Sequence, residues 1–122
     1  MEKQIITVVY KWIANQGKLD ELKAIYGKVT DSMKENEPGA TAVHIYASEE
    51  QNALYVRDEF QDAGALGFHL EKTAAAHFPS LLAIAKPAEF LFFGDVPERL
   101  QQATRQMGLA SEFATHTAGF DR

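Results

Sequence analysis

The chain has 122 residues, of which 46% are hydrophobic and 24% are charged, which fits a single globular domain with one core. Its formal net charge of −5, with only 12 lysines and arginines, provides no basic surface for a phosphate backbone, so no nucleic-acid partner is expected. It has no cysteine, which excludes a disulfide framework, a thiolate nucleophile and a cysteine-ligated zinc site.

The beginning of the chain does not have the pattern of a membrane span. Glu2, Lys3 and Lys11 place charges around a short apolar run. That run is far shorter than the ~18 apolar residues that cross a bilayer. The sequence therefore predicts a soluble cytoplasmic protein without a membrane partner, and the absence of cysteine is compatible with a reducing compartment.

The first two elements are predicted to be a buried strand and an amphipathic helix. Residues 5–13 form a near-continuous run of β-branched and aromatic side chains, typical of a strand covered on both faces and central in its sheet. Residues 15–17 interrupt this run, and residues 18–36 place apolar side chains three and four positions apart. Those side chains are Leu19, Leu22, Ile25, Tyr26, Val29 and Met33.

A hairpin is predicted next. Glu37, Pro38 and Gly39 stop the helix, and residues 41–48 and 53–61 are rich in β-branched and aromatic side chains. The four polar residues between these two runs are too few for the crossover that parallel strands need, so the pair is predicted to be antiparallel.

A second helical region is predicted after the hairpin. Asp62 can cap it, because its carboxylate accepts hydrogen bonds from the free backbone N–H groups of the first turn. The region spans residues 63–85 and is expected to divide into two shorter helices at Phe78 and Pro79, because a proline removes one helical hydrogen bond.

The last strand completes a recognisable order of elements. Lys86 and Pro87 are expected to end the second of these helices, and the consecutive large apolar side chains of residues 88–94 predict a buried strand. The order is then β-α-β-β-α-β. It predicts an α+β domain of the ferredoxin-like type, with an antiparallel sheet and helices on one face.

The two faces of the predicted sheet indicate a homodimer. Val8, Tyr10 and Trp12 share one face of the first strand, whereas Thr7 and Val9 share the other. Helices can cover only one face, and a large exposed apolar area on the other is unusual for a monomer. We therefore expect two copies to pack sheet against sheet around a two-fold axis.

Residues 37–78 resemble the antibiotic biosynthesis monooxygenase family. The pattern consists of Glu37-Pro38-Gly39 before the hairpin, Phe60-Gln61-Asp62 after it, Ala65-Leu66 and His69-Leu70 on the next helix, and His77-Phe78 beyond. The resemblance covers residues 1–95 and implies the family's dimeric α+β barrel. It also implies oxygenation without a cofactor, and it carries a functional role over to His69 and, less directly, to His77.

Residues 96–122 are predicted to be an extension packed on the same domain. Asp95 is a candidate N-cap before Pro97, and a helix is expected to run from there to a stop at Gly108. The last stretch, residues 110–122, has no clear period. It is expected to wrap the core, to cross to the partner subunit, to cover a pocket, or to remain a partly ordered terminus.

Motifs for cofactors and metals are not found. Gly64 and Gly67 lack the strand–turn–helix setting of a dinucleotide loop, so no flavin or nicotinamide is expected. The serines lack the context of a nucleophile elbow. No metal is expected either, because the histidines have neither an i, i+4 spacing on a helix nor a facial-triad pattern. They stand at His44, His69, His77 and His116.

Histidines and aromatic residues supply the candidate site. His44 and Tyr46 share a face of the second strand, and Tyr10 and Trp12 share a face of the first. If the second helix lies across that sheet, His69 approaches the same space. These side chains predict a pocket with aromatic walls that suits a small aromatic or apolar molecule, such as a flat phenol or quinol.

The predicted function is cofactor-independent monooxygenation of a small aromatic, quinol or polyketide-like metabolite. A deprotonated dihydroxyaromatic or enol can itself reduce dioxygen, so the protein must supply a base, orientation and a dry environment. His69 is the first candidate base and His44 the second, because histidine titrates near neutral pH. Aromatic side chains would shape the pocket or donate to a developing oxyanion. The expected pocket residues are Tyr10, Trp12, Tyr46 and His77.

Other interpretations are open at this point. The same fold can serve an isomerase, or a non-catalytic binding or stress-response module that holds a small apolar ligand. Haem degradation is disfavoured, although His77 could act as a proximal ligand. His44 and His116 could be hydrogen-bonded structural residues, and Tyr10 and Trp12 could belong to the core or to a dimer interface. The charged residues 57–59 are expected at a strand edge.

Overall fold

The computed structural model describes residues 4–122. Glu2 and Lys3, which contributed to the predicted charge pattern of the N-terminus, lie outside the described residues. Within the described range, no helix is both long enough and apolar enough to cross a membrane.

The chain forms a five-stranded sheet with helices packed against one of its faces. In chain order, the elements are β1 (Ile6–Ala14), α1 (Leu19–Asn36), β2 (Ala40–Ser48), β3 (Ala53–Phe60), α2 (Ala63–Phe68), a π-helical segment (His69–Ala74), α3 (Ala75–Ile84), β4 (Ala85–Phe93), α4 (Glu98–Gln106) and β5 (Ser111–Ala114).

The sheet has the strand order β2-β3-β1-β4-β5, with β1 in the centre. Strand β1 pairs antiparallel with both β3 and β4, and β2 and β3 form the antiparallel hairpin. The short β5 pairs in parallel with β4. This arrangement confirms the predicted α+β class, the ferredoxin-like order and the central position of the first strand.

The core lies on one face of the sheet. Val8, Tyr10 and Trp12 alternate along β1 and are all buried on this face. Tyr10 lies between Val56 of β3 and Phe90 of β4, which are buried as well. Burying side chains of this size contributes about 1.5–3 kcal/mol each, so the face is the main source of stability.

Helix α1 covers this buried face, as its apolar spacing predicts. It begins at Leu19 and ends at Asn36, and its exposed positions carry most of its charges. Its buried side chains are Leu19, Leu22, Tyr26, Val29 and Met33. Glu37 follows directly as the C-cap residue, and its backbone N–H donates to the Met33 carbonyl.

The second helical region does not divide at Pro79, and that prediction was wrong. The backbone stays helical over residues 63–84, and its irregular part is the π-helical segment that begins at His69. Pro79 lies inside α3, where it removes one hydrogen bond while the neighbouring bonds persist. Such π-helical turns are rare and often occur at functional sites. The predicted cap is present, because Asp62 Oδ1 accepts from Ala65 N at 2.8 Å.

Strand β4 begins earlier than predicted, and Pro87 lies within it instead of ending the preceding helix. A proline is tolerated here because β5 pairs only with the later part of β4, from Phe90 onwards, so the earlier part lies at the edge of the sheet. The pairing of β4 with β1 also shifts between Lys11 and Trp12, next to this position.

The C-terminal extension packs on the core of the same domain. Helix α4 begins after Pro97, and no side chain caps it, so the predicted cap by Asp95 is not formed. Gly108 follows the helix with a φ of 80°, as expected for a helix stop. Strand β5 was not predicted, because four residues are too few to show a period. The extension contributes Val96, Leu100 and Leu109 to the core.

The other face of the sheet is uncovered by helices and the sheet is not closed into a barrel within one chain. Val9 of β1 pairs with Leu91 of β4, and both are partly exposed. Further large apolar side chains with high exposed fractions are Ile13 at 41%, Tyr46 at 57% and Phe93 at 42%. The homodimer that would cover this face stays a prediction.

Candidate functional site

A cavity of about 50 Å³ lies between the buried face of the sheet and the helices. Most of its wall is apolar, and no lysine or arginine of the described chain lines it. The lining residues are Val8, Tyr10, Trp12, Tyr26, Val29, Asp58, Phe60, Leu66, His69, Leu70, Thr73, Ala74, His77, Phe78, Leu81, Phe90, Phe92, Met107 and Leu109.

The π-helical segment holds His69 at the wall of this cavity. Its Nδ1 lies 3.1 Å from Glu37 Oε2, and the Thr73 hydroxyl donates to the same oxygen. Glu37 is only 4% exposed, and His69 is 6% exposed. An ionised carboxylate can only accept hydrogen bonds, so Nδ1 carries the proton and Nε2 is left as the acceptor of the neutral ring.

Asp58 of β3 faces His69 from the sheet. Its Oδ2 accepts a hydrogen bond of 3.1 Å from the Tyr10 hydroxyl and lies 4.0 Å from His69 Nε2. Asp58 is 1% exposed. Its Oδ1 has no hydrogen-bond partner within the described chain, and the same is true of Glu37 Oε1. A buried polar atom without a partner is costly, so these two oxygens are unusual for a folded protein.

The two buried carboxyl groups have opposite pKa shifts. Burial raises the pKa of Asp58 from 3.8 to about 6, and the nearby charge of Glu37 adds to the rise against the opposing effects of His69 and Tyr10. Burial also acts to raise the pKa of Glu37, but the hydrogen bonds from His69 and Thr73 and the His69 charge outweigh it and lower that pKa below 4.5. One carboxyl group is therefore held ionised while the other is shifted toward its protonated form.

Aromatic rings complete the walls. The Trp12 Nε1 donates to the Tyr26 hydroxyl at 2.8 Å, which satisfies the buried indole. Tyr10 stacks on Phe90 with ring centroids 4.7 Å apart, and the Phe78 ring meets Trp12 edge-on. Burial, followed by the charge of Asp58, raises the pKa of the Tyr10 phenol well above 10.0, so it stays a hydrogen-bond donor at neutral pH.

The structure brings together four of the six residues that the sequence singled out. Tyr10, Trp12, His69 and His77 all line this one cavity. Two of the four make hydrogen bonds to buried carboxyl groups, His69 to Glu37 and Tyr10 to Asp58. His77 is half-buried and lies on α3, two helical turns further along the wall.

His44 and Tyr46 lie elsewhere, contrary to the expectation that they share the space of His69. Their register partners on β3 are Arg57 and Tyr55, and they point to the uncovered face of the sheet. Both side chains are exposed. The alternation of side chains along paired strands explains the difference, because it places these positions on the face opposite Tyr10.

Sequence reasoning missed Glu37 and Asp58. Glu37 was interpreted as part of a helix-stopping turn and of the family pattern, without a role at the site. Asp58 was interpreted only as part of a charged strand edge, although it is fully buried. A signal for Asp58 was present: it stands midway between Val56 and Phe60, and all three positions face the core by two-residue alternation. Glu37 had no such signal, because its partner His69 is 32 positions away.

A second, open cleft of about 900 Å³ lies on the other side of the molecule, where the C-terminal tail passes the sheet. Thr7, Arg57 and Glu59 of the sheet and His116 and Phe120 of the tail line it. His116 thus lies far from the cavity that holds His69. Across residues 4–122, no group of three histidine, aspartate or glutamate side chains is arranged to hold a metal ion.

Comparison with known proteins identifies solved structures that share this fold. No protein-family model and no curated protein matches the chain. Among solved structures, MupZ from Pseudomonas fluorescens matches with a TM-score of 0.83 and 17% identity, over 100% of this chain and 92% of that one. SnoaB, a cofactor-independent oxygenase from Streptomyces nogalater, matches with a TM-score of 0.65 and 14% identity, over 77% and 95%. A candidate antibiotic biosynthesis monooxygenase from Caulobacter crescentus matches at 0.61 and 21%, over 78% and 92%.

The chain has the α+β fold of the antibiotic biosynthesis monooxygenases, as the resemblance implied. At identities of 14–21%, these likenesses concern the fold alone. The match to MupZ spans the whole chain and so includes α4 and β5, whereas the matches to SnoaB and to the Caulobacter crescentus protein cover about three-quarters of it. Fold and site together thus define an α+β domain with a buried cavity, at whose wall one histidine lies between two carboxyl groups.

Proposed function

We propose that the protein is a cofactor-independent oxygenase of a small aromatic, quinol or polyketide-like metabolite, with His69 as the general base. The observation that carries the proposal is the His69–Glu37 hydrogen bond of 3.1 Å at the wall of an aromatic cavity. It orients the imidazole and leaves Nε2 to accept a proton. The name of SnoaB, a cofactor-independent oxygenase of the same fold, supports this choice of reaction class.

The cavity provides what this chemistry requires of a protein. Removing a proton from a phenol or enol makes the molecule electron-rich, and dioxygen can then accept an electron from it. The apolar walls exclude water, and the Trp12, Phe78 and Phe90 rings present flat surfaces to a flat substrate. A general base in this position contributes about 10²–10⁴-fold to a rate.

Substrate entry requires the walls to move. The cavity of about 50 Å³ holds only a few atoms. An engineered apolar cavity that binds benzene measures about 150 Å³. Leu70 and Phe78 are the partly buried apolar residues of the helical wall and are packed at the edge of the core. We propose that displacement of these side chains admits the ring of a substrate.

The test is oxygen consumption by metal-stripped protein with a panel of anthrone, hydroquinone and catechol compounds, corrected for autoxidation. We expect uptake by the wild type and a loss of at least about 100-fold in His69→Gln, which retains the size of the side chain but not its basicity. The matched control is His44→Gln, because His44 is exposed on the other face and should not affect the rate. Uptake that is unaltered in His69→Gln would remove His69 from the mechanism.

An isomerase is the second candidate, and a specific observation favours it. Asp58 lies 4.0 Å from His69 Nε2, so the site holds a base and an acid that could move a proton between two positions of one substrate. Deuterium incorporation into anthrone under nitrogen distinguishes the candidates. Exchange that needs His69, without oxygen uptake in air, supports the isomerase. The absence of both activities would support a non-catalytic ligand-binding module.

We propose a homodimer as the working form. The uncovered face of the sheet carries the paired Val9 and Leu91, together with exposed Tyr46 and Phe93. A face of this composition fits an isologous contact, in which the same patch is buried twice. His44 and Arg57 would then lie at or near the subunit interface.

A further inference from the structure

The carboxyl group of Asp58 lies at the wall of the cavity, and one of its two oxygens lacks a hydrogen-bond partner. Its Oδ2 accepts from Tyr10, but its Oδ1 is buried and has no partner within the described chain. Asp58 lines the cavity, as His69 does. Natural proteins satisfy nearly all buried polar atoms, so the unpaired oxygen points to a bound group that completes the site.

The distance between His69 and Asp58 limits the size and the hydrogen-bonding capacity of the group that can lie between them. Nε2 and Oδ2 are 4.0 Å apart, which is too far for a direct hydrogen bond. One oxygen atom at about 2.8 Å from each would bridge them at an angle of about 90°, which is acceptable for a hydroxyl that donates once and accepts once. The gap therefore matches a single hydroxyl oxygen.

The charges around the gap determine which protonation state of Asp58 can form a hydrogen bond to this hydroxyl oxygen. Glu37, Tyr10, Tyr26 and His77 are the other titratable groups that face the pair from α1, β1 and α3. Glu37 is held ionised by its hydrogen bonds, so a second carboxylate nearby is disfavoured. Burial shifts Asp58 toward its protonated form, which can donate a hydrogen bond to the bridging oxygen.

We propose that one substrate hydroxyl lies between His69 Nε2 and Asp58, and that Asp58 is a further catalytic residue. The hydroxyl O–H bond breaks, its proton forms an N–H bond at Nε2, and the electron pair stays on the oxygen. The protonated Asp58 donates a hydrogen bond to this developing anion and keeps its own proton. Tyr10 is the positioning residue, because its hydroxyl donates to Oδ2 and holds the Asp58 carboxyl group beside the gap.

This assignment rests on the proposed function and narrows its substrate class to a phenol or an enol. Both classes present a hydroxyl that is acidic enough to yield a proton to imidazole, attached to a flat apolar body. A carboxylate or phosphate ester does not fit, because Glu37 supplies negative charge and no lysine or arginine of the described chain lines the cavity.

The test measures binding under nitrogen and needs no turnover. Pentafluorophenol and hexafluorobenzene differ by one hydroxyl, and fluorine NMR reports the affinity of each. We expect the wild type to bind pentafluorophenol at least about tenfold more tightly than hexafluorobenzene, as for a hydrogen bond to a charged group. Asp58→Asn retains a donor and should keep most of this preference, whereas Asp58→Leu should reduce it to what the remaining hydrogen bond to His69 supplies.

The dependence of affinity on pH separates hydrogen bonding by Asp58 from a purely structural role. As the pH rises above about 6, Asp58 loses its proton, so the wild-type affinity for the phenolate should fall. Asp58→Asn does not titrate and should lack this fall. Because this comparison uses the isosteric variant, it decides the question even if Asp58→Leu does not fold.

Two results would overturn the proposal. One is a preference for pentafluorophenol that is undiminished in Asp58→Leu while hexafluorobenzene affinity shows an intact cavity. The other is the same fall with pH in Asp58→Asn as in the wild type. Failure of the oxygenase proposal is separate, because it is a lack of oxygen uptake in air and leaves the binding preference unchanged.

Discussion

His69 Nδ1 lies 3.1 Å from Glu37 Oε2, and this contact joins the π-helical segment to the C-cap of α1. Both side chains are buried, and Thr73 donates to the same carboxylate oxygen. The contact determines which nitrogen of the imidazole carries a proton. The orientation of the candidate base therefore depends on a residue that belongs to a turn and does not itself line the cavity.

The first prediction concerns Glu37→Gln. This change retains the size of the side chain but removes the anion that keeps the proton on Nδ1, so the ring can adopt the other tautomer. We expect oxygen uptake to fall at least about tenfold, since a wrong tautomer severely impairs a histidine base. Nitrogen NMR of His69 should show the tautomer change. Glu35→Gln, at an exposed position of α1, is the control, and an equal loss there would contradict the prediction.

The second prediction concerns stability as a function of pH. The pKa of Asp58 is about 6 in the folded protein and 3.8 in its ordinary state, so the folded form binds the proton more tightly. This contribution is fully present below pH 3.8 and is lost as the pH rises to about 6; it is on the order of 3 kcal/mol.

Asp58→Asn should lose this dependence, which thermal unfolding at a series of pH values can measure. Glu37 acts in the opposite sense, because its pKa is lowered: its contribution is present above pH 4.5 and is lost in more acidic solution. The two effects overlap only below pH 4.5, so the range from pH 4.5 to 6 reports Asp58. An unchanged slope in Asp58→Asn over that range would assign the effect to other groups.

The third prediction compares two glycines. A Cβ on Gly39 would lie 2.6 Å from the Ala65 Cβ, whereas a Cβ on Gly27 in α1 would have no atom within 4 Å. We expect Gly39→Ala to destabilise the protein by about 1–3 kcal/mol through overpacking. Gly27→Ala should stabilise it by about 0.5–1 kcal/mol, because alanine loses less entropy in a helix. Denaturant unfolding checks both signs, and a stabilised Gly39→Ala would show that the turn can move away from α2.

The fourth prediction concerns the C-terminal extension as a wall of the cavity. Leu109 is buried and lines the cavity from beyond α4. Leu109→Ala should enlarge the cavity, lower the free energy of unfolding by about 2–3 kcal/mol and raise the affinity for hexafluorobenzene. Leu82→Ala is the control, because Leu82 is 47% exposed on α3. Unaltered affinity in Leu109→Ala would mean that neighbouring side chains move to fill the volume that the Leu109 side chain vacated.

The fifth prediction concerns the uncovered sheet face. Leu91 pairs with Val9 in the middle of this face, so Leu91→Lys should disrupt a sheet-to-sheet dimer by burying an unpaired charge. Sedimentation velocity should then show a monomer where the wild type is a dimer. Leu82→Lys, on the helical side, should leave the assembly intact. A wild type that sediments as a monomer would refute the dimer itself.

The sequence by itself determined most of the secondary structure. The apolar stripe of α1, the Pro-Gly turn, the short hairpin connection and the Asp62 cap are local signals, and local signals survive in the folded chain. They were sufficient for the α+β order of elements. The central strand followed as well, because its run of β-branched and aromatic residues contains a single charged residue, Lys11.

Tertiary structure decided the details that local patterns do not contain. Pro79 remained inside a helix because packing maintains the neighbouring turns, and Pro87 entered a strand because that stretch of β4 lies at an edge. The face to which His44 points also depended on the register of β2 with β3. A shift of one residue in that register would reverse it, and no signal within the strand specifies the register.

The site was the part least accessible from the sequence. His69, Tyr10 and Trp12 could be proposed from residue type and spacing, and the structure places them on one cavity. Their polar partners could not, because Glu37 and Asp58 are 32 and 11 positions from His69 and meet it only when the helix packs on the sheet. The same packing removes water from both carboxyl groups, and that desolvation gives Asp58 a raised pKa that no local sequence pattern encodes.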